Sequence, residues 1–132
     1  MKKLFLDDER VPKDAFYITG RPIYLDGDWS VVRSYNAFVE WITHNGLPEL
    51  ISFDHDLGDE HYKDCDLGLP IKYDKYEEKT GYHAVKWLCE KCSEDMLRLP
   101  VIYCHSMNPV GRKNIVEYVE SARRKIDEML DI

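Results

Sequence analysis

Reactive polar side chains follow three short apolar runs of this chain. Asp7-Asp8-Glu9-Arg10 follows residues 4–6, Asp54-His55-Asp56 follows residues 50–53, and His105-Ser106 follows residues 101–104. Short apolar runs separated by helix-like patterns are typical of buried parallel strands. In open sheets of this kind, ligands bind outside the carboxyl ends of the strands. We therefore predict that the three polar segments converge on one site, where carboxylates, imidazoles and arginines favour chemistry on phosphate.

Composition sets the outer limits of this interpretation. The chain has 132 residues, of which 44% are hydrophobic and 33% charged, which predicts a single globular domain over residues 1–132. The sequence has no apolar run of the roughly 18 residues that a membrane span needs and no signal-peptide pattern, so we expect a cytoplasmic protein without a membrane partner. A net charge of −7 argues against binding a long nucleic-acid tract. A small-molecule nucleotide or an RNA 3′ end in a locally basic pocket stays compatible with that charge.

Apolar periodicity predicts an α/β fold with a mainly parallel sheet of about four strands. The predicted strands cover residues 3–6, 29–33, 50–53 and 99–104, and the predicted helices cover residues 34–44 and 80–92 and a final segment ending near Leu130. Residues 11–28 contain Pro12, Gly20, Pro22 and Gly27, which favours a loop with a hairpin. Residues 57–79 are polar and long for a loop, which favours a lid over the site.

The adjacent carboxylates Asp7 and Asp8 are candidate metal ligands together with Asp54. Neighbouring carboxylates repel each other unless a cation lies near them, and hard oxygen ligands suit Mg²⁺, which also bridges to substrate phosphates. Arg10 is a candidate phosphate ligand because its guanidinium can hold two phosphate oxygens at once. The alternative is a solvated charged turn.

Asp54, His55 and Asp56 are candidate catalytic residues, with His105 as a second imidazole. Strand alternation would place Asp54 and Asp56 on one face and His55 on the other, although alternation relaxes at a strand end. Histidine titrates near neutral pH, which suits proton transfer from water or to a departing oxygen. The alternative is a structural histidine hydrogen-bonded to a neighbouring carboxylate.

The segment after the last predicted strand offers Ser106, Asn108 and Arg112 as candidate phosphate ligands. A helix begins here, and the free backbone N–H groups and the dipole of a helix N-terminus attract anions. The alternative is a capping turn in which Ser106 or Asn108 satisfies the helix.

Four motifs together resemble the cyclic-phosphate processing receiver domain, a divergent relative of the receiver domains of two-component signalling. They are Leu-Asp-Asp-Glu-Arg at 6–10, Asp-His-Asp-Leu-Gly-Asp at 54–59, Thr-Gly-Tyr at 80–82 and His-Ser-Met-Asn-Pro-Val-Gly-Arg at 105–112.

The resemblance implies a three-layer, flavodoxin-like domain and a role for each matching residue. Asp7 and Asp8 match the metal-binding acidic pair, Asp54 matches the phosphoacceptor, and Ser106 matches the hydroxyl that contacts the phosphoryl group. His55, His105, Asn108 and Arg112 match motifs of the divergent family only. The family is predicted to process cyclic phosphates.

The chain departs from an ordinary receiver in two respects. Four strands are predicted instead of five, so no lysine follows a fifth strand, and residues 11–28 replace the first helix. We therefore expect a hydrolase that opens a cyclic phosphodiester, with His55 and His105 as base and acid and Mg²⁺ as a candidate cofactor. The alternatives are a phosphoacceptor signalling module at Asp54 and a non-catalytic nucleotide-binding protein.

Overall fold

The computed structural model describes residues 1–58, 71, 73 and 79–131, so most of the predicted lid over residues 57–79 lies outside the described residues. Parallel strands alternate with helices along the described chain. The strands are β1 (Lys3–Leu6), β2 (Trp29–Val32), β3 (Leu50–Phe53) and β4 (Val101–Cys104). The helices are α1 (Pro12–Thr19), α2 (Tyr35–Asn45), α3 (Gly81–Glu94) and α4 (Pro109–Leu130), with a 3-10 helix at Pro22–Leu25.

The four strands form one parallel sheet in the order β2-β1-β3-β4, which matches the first four strands of the flavodoxin-like order 2-1-3-4-5. The strands also end level with one another. Leu6 is paired with Phe53, and Phe53 is paired with Cys104. The residue after each strand therefore lies at the same edge of the sheet, which brings Asp7, Asp54 and His105 side by side.

The two faces of the sheet are covered by different helices, giving three layers. Alternate residues of β1 face opposite sides: Leu4 and Leu6 belong to the main core with residues of α2, α3 and α4, whereas Phe5 packs with Ala15 and Tyr24. The α/β prediction of a flavodoxin-like domain is confirmed. None of the helices in the described residues is long and apolar enough to cross a membrane.

The prediction of a loop and hairpin over residues 11–28 is wrong, because this segment contains α1 and the 3-10 helix. Pro12 occupies the first turn of α1, where its fixed φ favours helix and its missing N–H is not needed. The Asp14 side chain accepts a hydrogen bond from Val11 N at 3.0 Å. Gly20 then ends the helix at φ 73°. The proline and glycine that indicated turns are therefore the boundaries of a helix.

Capping side chains fix where α2 and α3 begin, as predicted. Ser34 accepts a hydrogen bond from Ala37 N at 3.1 Å, and Thr80 accepts one from His83 N at 3.4 Å. The start of α3 lies directly against the end of β3, because Gly81 N donates to His55 O at 2.8 Å. This contact positions the polar segment that follows β3.

Candidate functional site

Asp7 and Asp54 meet at the carboxyl ends of β1 and β3, and both carboxyl groups are almost completely buried. Asp7 Oδ1 accepts hydrogen bonds from Glu9 N at 2.9 Å and Arg10 N at 2.8 Å. Asp54 Oδ1 accepts one from His55 N at 2.9 Å. Among the groups that the structure describes, none hydrogen-bonds Asp54 Oδ2. A buried carboxyl oxygen without a hydrogen-bond partner is costly, and such groups are often found at functional sites.

The two carboxyl groups have opposite pKa shifts. Burial raises the pKa of Asp54 to about 8, the charges of Asp7 and Asp56 add to this, and Arg10 offsets it only in part. Burial also acts to raise the pKa of Asp7, but hydrogen bonds from His105 and from the backbone outweigh it and lower the pKa. In the absence of a bound cation, Asp7 is therefore ionised near neutral pH and Asp54 holds a proton.

A buried chain of hydrogen bonds supports Asp7 from behind. The Tyr24 hydroxyl lies 2.6 Å from Ser52 Oγ, and Ser52 Oγ lies 2.6 Å from His105 Nδ1. His105 Nε2 lies 3.0 Å from Asp7 Oδ2. If Tyr24 donates to Ser52, Ser52 donates to Nδ1 and Nε2–H donates to Asp7, then every member of the chain is satisfied. We call this series the Tyr24 relay.

The surroundings of His105 keep its imidazole neutral and fixed. Burial lowers the pKa of His105, against the opposing effect of Asp7. Its ring stacks on Phe5, with centroids 4.3 Å apart and planes 7° from parallel. Both ring nitrogens are hydrogen-bonded to protein groups. His105 therefore orients Asp7, whereas its predicted role as a catalytic acid stays a prediction.

Replacing Ser52 with alanine is expected to destabilise the protein by about 1–3 kcal/mol, because it leaves the Tyr24 hydroxyl and His105 Nδ1 buried and unpaired. Urea unfolding measures this loss. Tyr24→Phe is the matched comparison, since it removes the terminal hydroxyl and leaves Ser52 bonded to His105. We expect Tyr24→Phe to cost less, about 1 kcal/mol. Equal losses in the two variants would contradict the relay.

His55 belongs to a second cluster of hydrogen-bonded side chains, together with Asp56 and Tyr73. Its Nδ1 lies 2.7 Å from Asp56 Oδ1, and its Nε2 lies 2.8 Å from the Tyr73 hydroxyl. Asn114 donates to the same hydroxyl at 3.0 Å. The strand ends at Phe53, so strand alternation does not govern these residues. A carboxylate on Nδ1 fixes the tautomer of His55 and leaves Nε2 to accept a proton, which is the arrangement of a general base.

Ser106 and Asn108 form the turn that starts α4. Asn108 Oδ1 accepts a hydrogen bond from Gly111 N at 3.0 Å, which makes Asn108 the N-cap, and its amide donates to Asp56 Oδ1 at 3.2 Å. Ser106 Oγ accepts from Asn108 N at 3.1 Å. These contacts are those of the capping alternative, and they tie Asp56 to the helix. Phosphate binding by Ser106 and Asn108 stays a prediction.

Of the two predicted arginines, Arg10 lies beside the acidic pair. Arg10 NH1 lies 3.9 Å from Asp7 Oδ2, and its side chain is 29% exposed, so the guanidinium can reach both the carboxylate and an incoming anion. Arg112 is exposed in the first turn of α4. Sequence reasoning missed Arg33, which donates to Asp7 O at 3.3 Å and to Arg10 O at 2.6 Å. Arg33 thus holds the backbone of the turn that carries Arg10.

The structure brings Asp7 and Asp54 together as predicted, and the third group near them is His105 instead of Asp8. One oxygen of each carboxyl group and one nitrogen of His105 lie within 4.8 Å of one another. Asp8 is half-buried next to Asp7. A cation would pair with the orphaned Asp54 oxygen and relieve its repulsion from Asp7. The residues present therefore fit a divalent cation.

The sheet order and the acidic pair at its carboxyl edge define a receiver-like α/β domain. The model of one family, the cyclic-phosphate processing receiver domain, matches residues 2–121. The chain belongs to this family. No curated protein and no solved structure matches it. The description of the family indicates involvement in the processing of cyclic phosphates.

Proposed function

We propose that the protein hydrolyses a cyclic phosphodiester, either a 2′,3′-cyclic RNA end or a cyclic nucleotide. The observation that carries the proposal is the buried Asp7–Asp54 pair, whose carboxyl groups lie together at the carboxyl ends of β1 and β3 and have pKa values shifted in opposite directions. Two carboxyl groups whose environments separate their pKa values are typical of acid–base sites. Arg10 beside this pair supplies the positive charge that attracts a phosphate.

Opening a cyclic phosphodiester requires a water to lose a proton and a departing oxygen to gain one. We assign the base role to His55, which takes the proton on Nε2 by way of the Tyr73 hydroxyl bonded to it. Asp54 protonates the departing oxygen as the P–O bond of the ring breaks and the bond from water to phosphorus forms. The product is a phosphomonoester with a free hydroxyl. Asp56 orients His55 throughout.

Charge on the transition state is stabilised by groups at the edge of the site. Arg10 and Arg112 are the proposed phosphate ligands, together with the turn at Ser106 and Asn108. Preorganised cations of this kind supply a large part of the rate enhancement in phosphoryl chemistry. We assign His105 a positioning role, because its Nε2 is hydrogen-bonded to Asp7.

A metal-dependent version uses the same residues. Asp7 and Asp54, with the predicted ligand Asp8, would hold Mg²⁺ through carboxylate oxygens, and the ion would neutralise charge on the phosphate oxygens. A proton and a cation compete for Asp54. If the reaction is metal-free, hydrolysis should therefore be faster in EDTA than in Mg²⁺. If the reaction is metal-dependent, no hydrolysis should occur in EDTA.

Hydrolysis of 2′,3′-cyclic and 3′,5′-cyclic nucleotides and of an RNA ending in a cyclic phosphate tests the proposal, with Mg²⁺ and with EDTA. We expect His55→Gln to lower kcat at least about 100-fold, the lower end of what a general base contributes. His44→Gln is the control, because His44 is exposed on α2. No turnover of any substrate would reject hydrolysis.

Two further measurements identify what replaces hydrolysis if it is rejected. Binding of cyclic nucleotides without turnover indicates a non-catalytic binding protein. Labelling of the protein by a small phosphodonor, lost in Asp54→Asn, indicates a phosphoacceptor. The raised pKa of Asp54 disfavours the phosphoacceptor as long as no cation is bound, because a protonated carboxyl group is a poor nucleophile.

A further inference from the structure

A cleft of about 430 Å³ opens beside β4, between the end of α1 and the first turns of α4. We call it the β4 cleft. A flavodoxin-like sheet has a fifth strand next to the fourth. The residues that the structure describes form four strands, with β4 at the edge, and the cleft lies on that side of the sheet. Its volume falls within the range of pockets that bind small molecules.

The β4 cleft is locally basic in an acidic protein. Arg21 and Arg112 are its charged lining residues, and its described lining contains no aspartate or glutamate. The whole chain carries a net charge of −7. A concave surface lined by one sign of charge concentrates ligands of the opposite sign. The cleft therefore attracts anions although the protein as a whole repels them.

Two flat groups form one wall of the β4 cleft. The Arg21 guanidinium lies 4.5 Å from the centre of the Tyr103 ring. Tyr103 is half-buried in β4, which holds the ring in place, and Arg21 is exposed at the entrance. Proteins recognise unpaired nucleobases by stacking them on aromatic rings and guanidinium planes. The pair therefore has the composition of a nucleobase platform.

The inner end of the β4 cleft is lined by His105 and Ser106, the residues that follow β4. His105 is hydrogen-bonded to Asp7. The cleft and the acidic site thus share a wall, and Arg112 lines the cleft at the first turn of α4. A ligand whose phosphate lies at the acidic site can extend its remaining part along β4.

We infer that the β4 cleft binds the nucleobase of the substrate, with Tyr103 and Arg21 as the residues that select a nucleotide over a smaller cyclic phosphate. The inference rests on the proposed function, since it names the substrate of that site. On this inference, the cleft beside the edge strand β4 determines which substrates the site accepts.

Binding of stable phosphomonoesters tests the inference without requiring turnover. Calorimetric Kd values would be measured for adenosine 2′-monophosphate, adenosine 3′-monophosphate and glycerol 2-phosphate, which lacks a base. We expect at least one of the two nucleotides to bind about tenfold more tightly than glycerol 2-phosphate, as stacking of one base provides. Arg21→Ala and Tyr103→Leu should each reduce this ratio to about twofold, whereas Tyr103→Phe, which keeps the ring, should preserve it.

Arg124→Ala is the matched control, because it removes a charge from an exposed position of α4 outside the lining of the β4 cleft. It should leave the ratio unchanged. Equal binding of the nucleotides and glycerol 2-phosphate to the wild-type protein, or ratios unaltered in Arg21→Ala and Tyr103→Leu, would overturn the inference even if cyclic phosphates are hydrolysed. The expected ratios without any hydrolysis would support the cleft and reject the proposed reaction.

Discussion

Replacing Asp54 with asparagine is expected to stabilise the folded protein at pH 8 in metal-free buffer and to abolish hydrolysis. Burial and the charges of Asp7 and Asp56 raise the pKa of Asp54 to about 8, so the native protein opposes ionisation of this group. Asparagine has nearly the same shape and never ionises. We expect a gain of about 1–3 kcal/mol in the free energy of unfolding, the usual range when a strained functional charge is removed.

The gain has a definite dependence on pH. An aspartate side chain ordinarily has a pKa of 3.8, whereas the pKa of Asp54 in the folded protein is about 8, so the unfolded chain releases this proton first as the pH rises. The stability that the neutral group contributes is complete below pH 3.8 and is lost as the pH rises toward 8. The advantage of Asp54→Asn should therefore grow as the pH rises toward 8 and level off above that value.

Urea unfolding at several pH values in EDTA measures this effect, with Asp26→Asn as the control at an exposed carboxylate. Asp26→Asn should change stability by less than about 0.5 kcal/mol at every pH. Addition of Mg²⁺ should stabilise the wild-type protein and not Asp54→Asn if Asp54 is a ligand. An asparagine variant that is less stable than wild type at pH 8, or a gain that does not vary with pH, would show that Asp54 is not the strained group.

Gly81→Ala is expected to prevent the protein from folding normally. A Cβ at residue 81 would overlap Asp54 O and lie 3.1 Å from His55 Cα, and these are backbone atoms that cannot turn away. The start of α3 and the end of β3 would have to separate, breaking the hydrogen bond from Gly81 N to His55 O. We expect a loss of about 3 kcal/mol or more, at the upper end for added volume in a packed site.

Thermal unfolding followed by circular dichroism measures the loss, and Gly27→Ala provides the matched comparison. A Cβ at residue 27 meets no atom within 4 Å, so Gly27→Ala should alter the midpoint very little. Gly111→Ala should behave like Gly81→Ala, although less severely, because its Cβ would overlap the His55 ring and a side chain can shift. A stable Gly81→Ala variant would mean that the contact between α3 and β3 is looser than the structure indicates.

The sequence predicts that the polar residues of the site lie close together, but it does not predict the hydrogen bonds among them. Parallel strands place their carboxyl ends at one edge, so the order of apolar runs along the chain was enough to bring Asp7, Asp54 and His105 together. The caps Ser34 and Thr80 likewise identify the starts of α2 and α3. These features depend on local patterns that a single sequence displays directly.

The Tyr24 relay depends on contacts between residues far apart in the chain, and no local pattern encodes it. Ser52 stands among apolar residues of β3 as a polar exception, which is a signal that it has a buried partner. Its partner Tyr24 lies in the 3-10 helix at Pro22–Leu25, within the segment that the prolines and glycines had led us to predict as a loop and hairpin. The burial that lowers the pKa of His105 exists only after the sheet and α1 have assembled. Sequence reasoning therefore named the histidine without its neighbours.

The position of Tyr24 has a consequence for protein engineering. Its ring belongs to the small core beneath α1, on the face of the sheet opposite α2, α3 and α4. Its hydroxyl is hydrogen-bonded to Ser52 in β3. Transplanting only the three polar segments onto another parallel sheet would carry the carboxylates and imidazoles but not this support. A minimal transferable unit of the site must include the 3-10 helix that carries Tyr24.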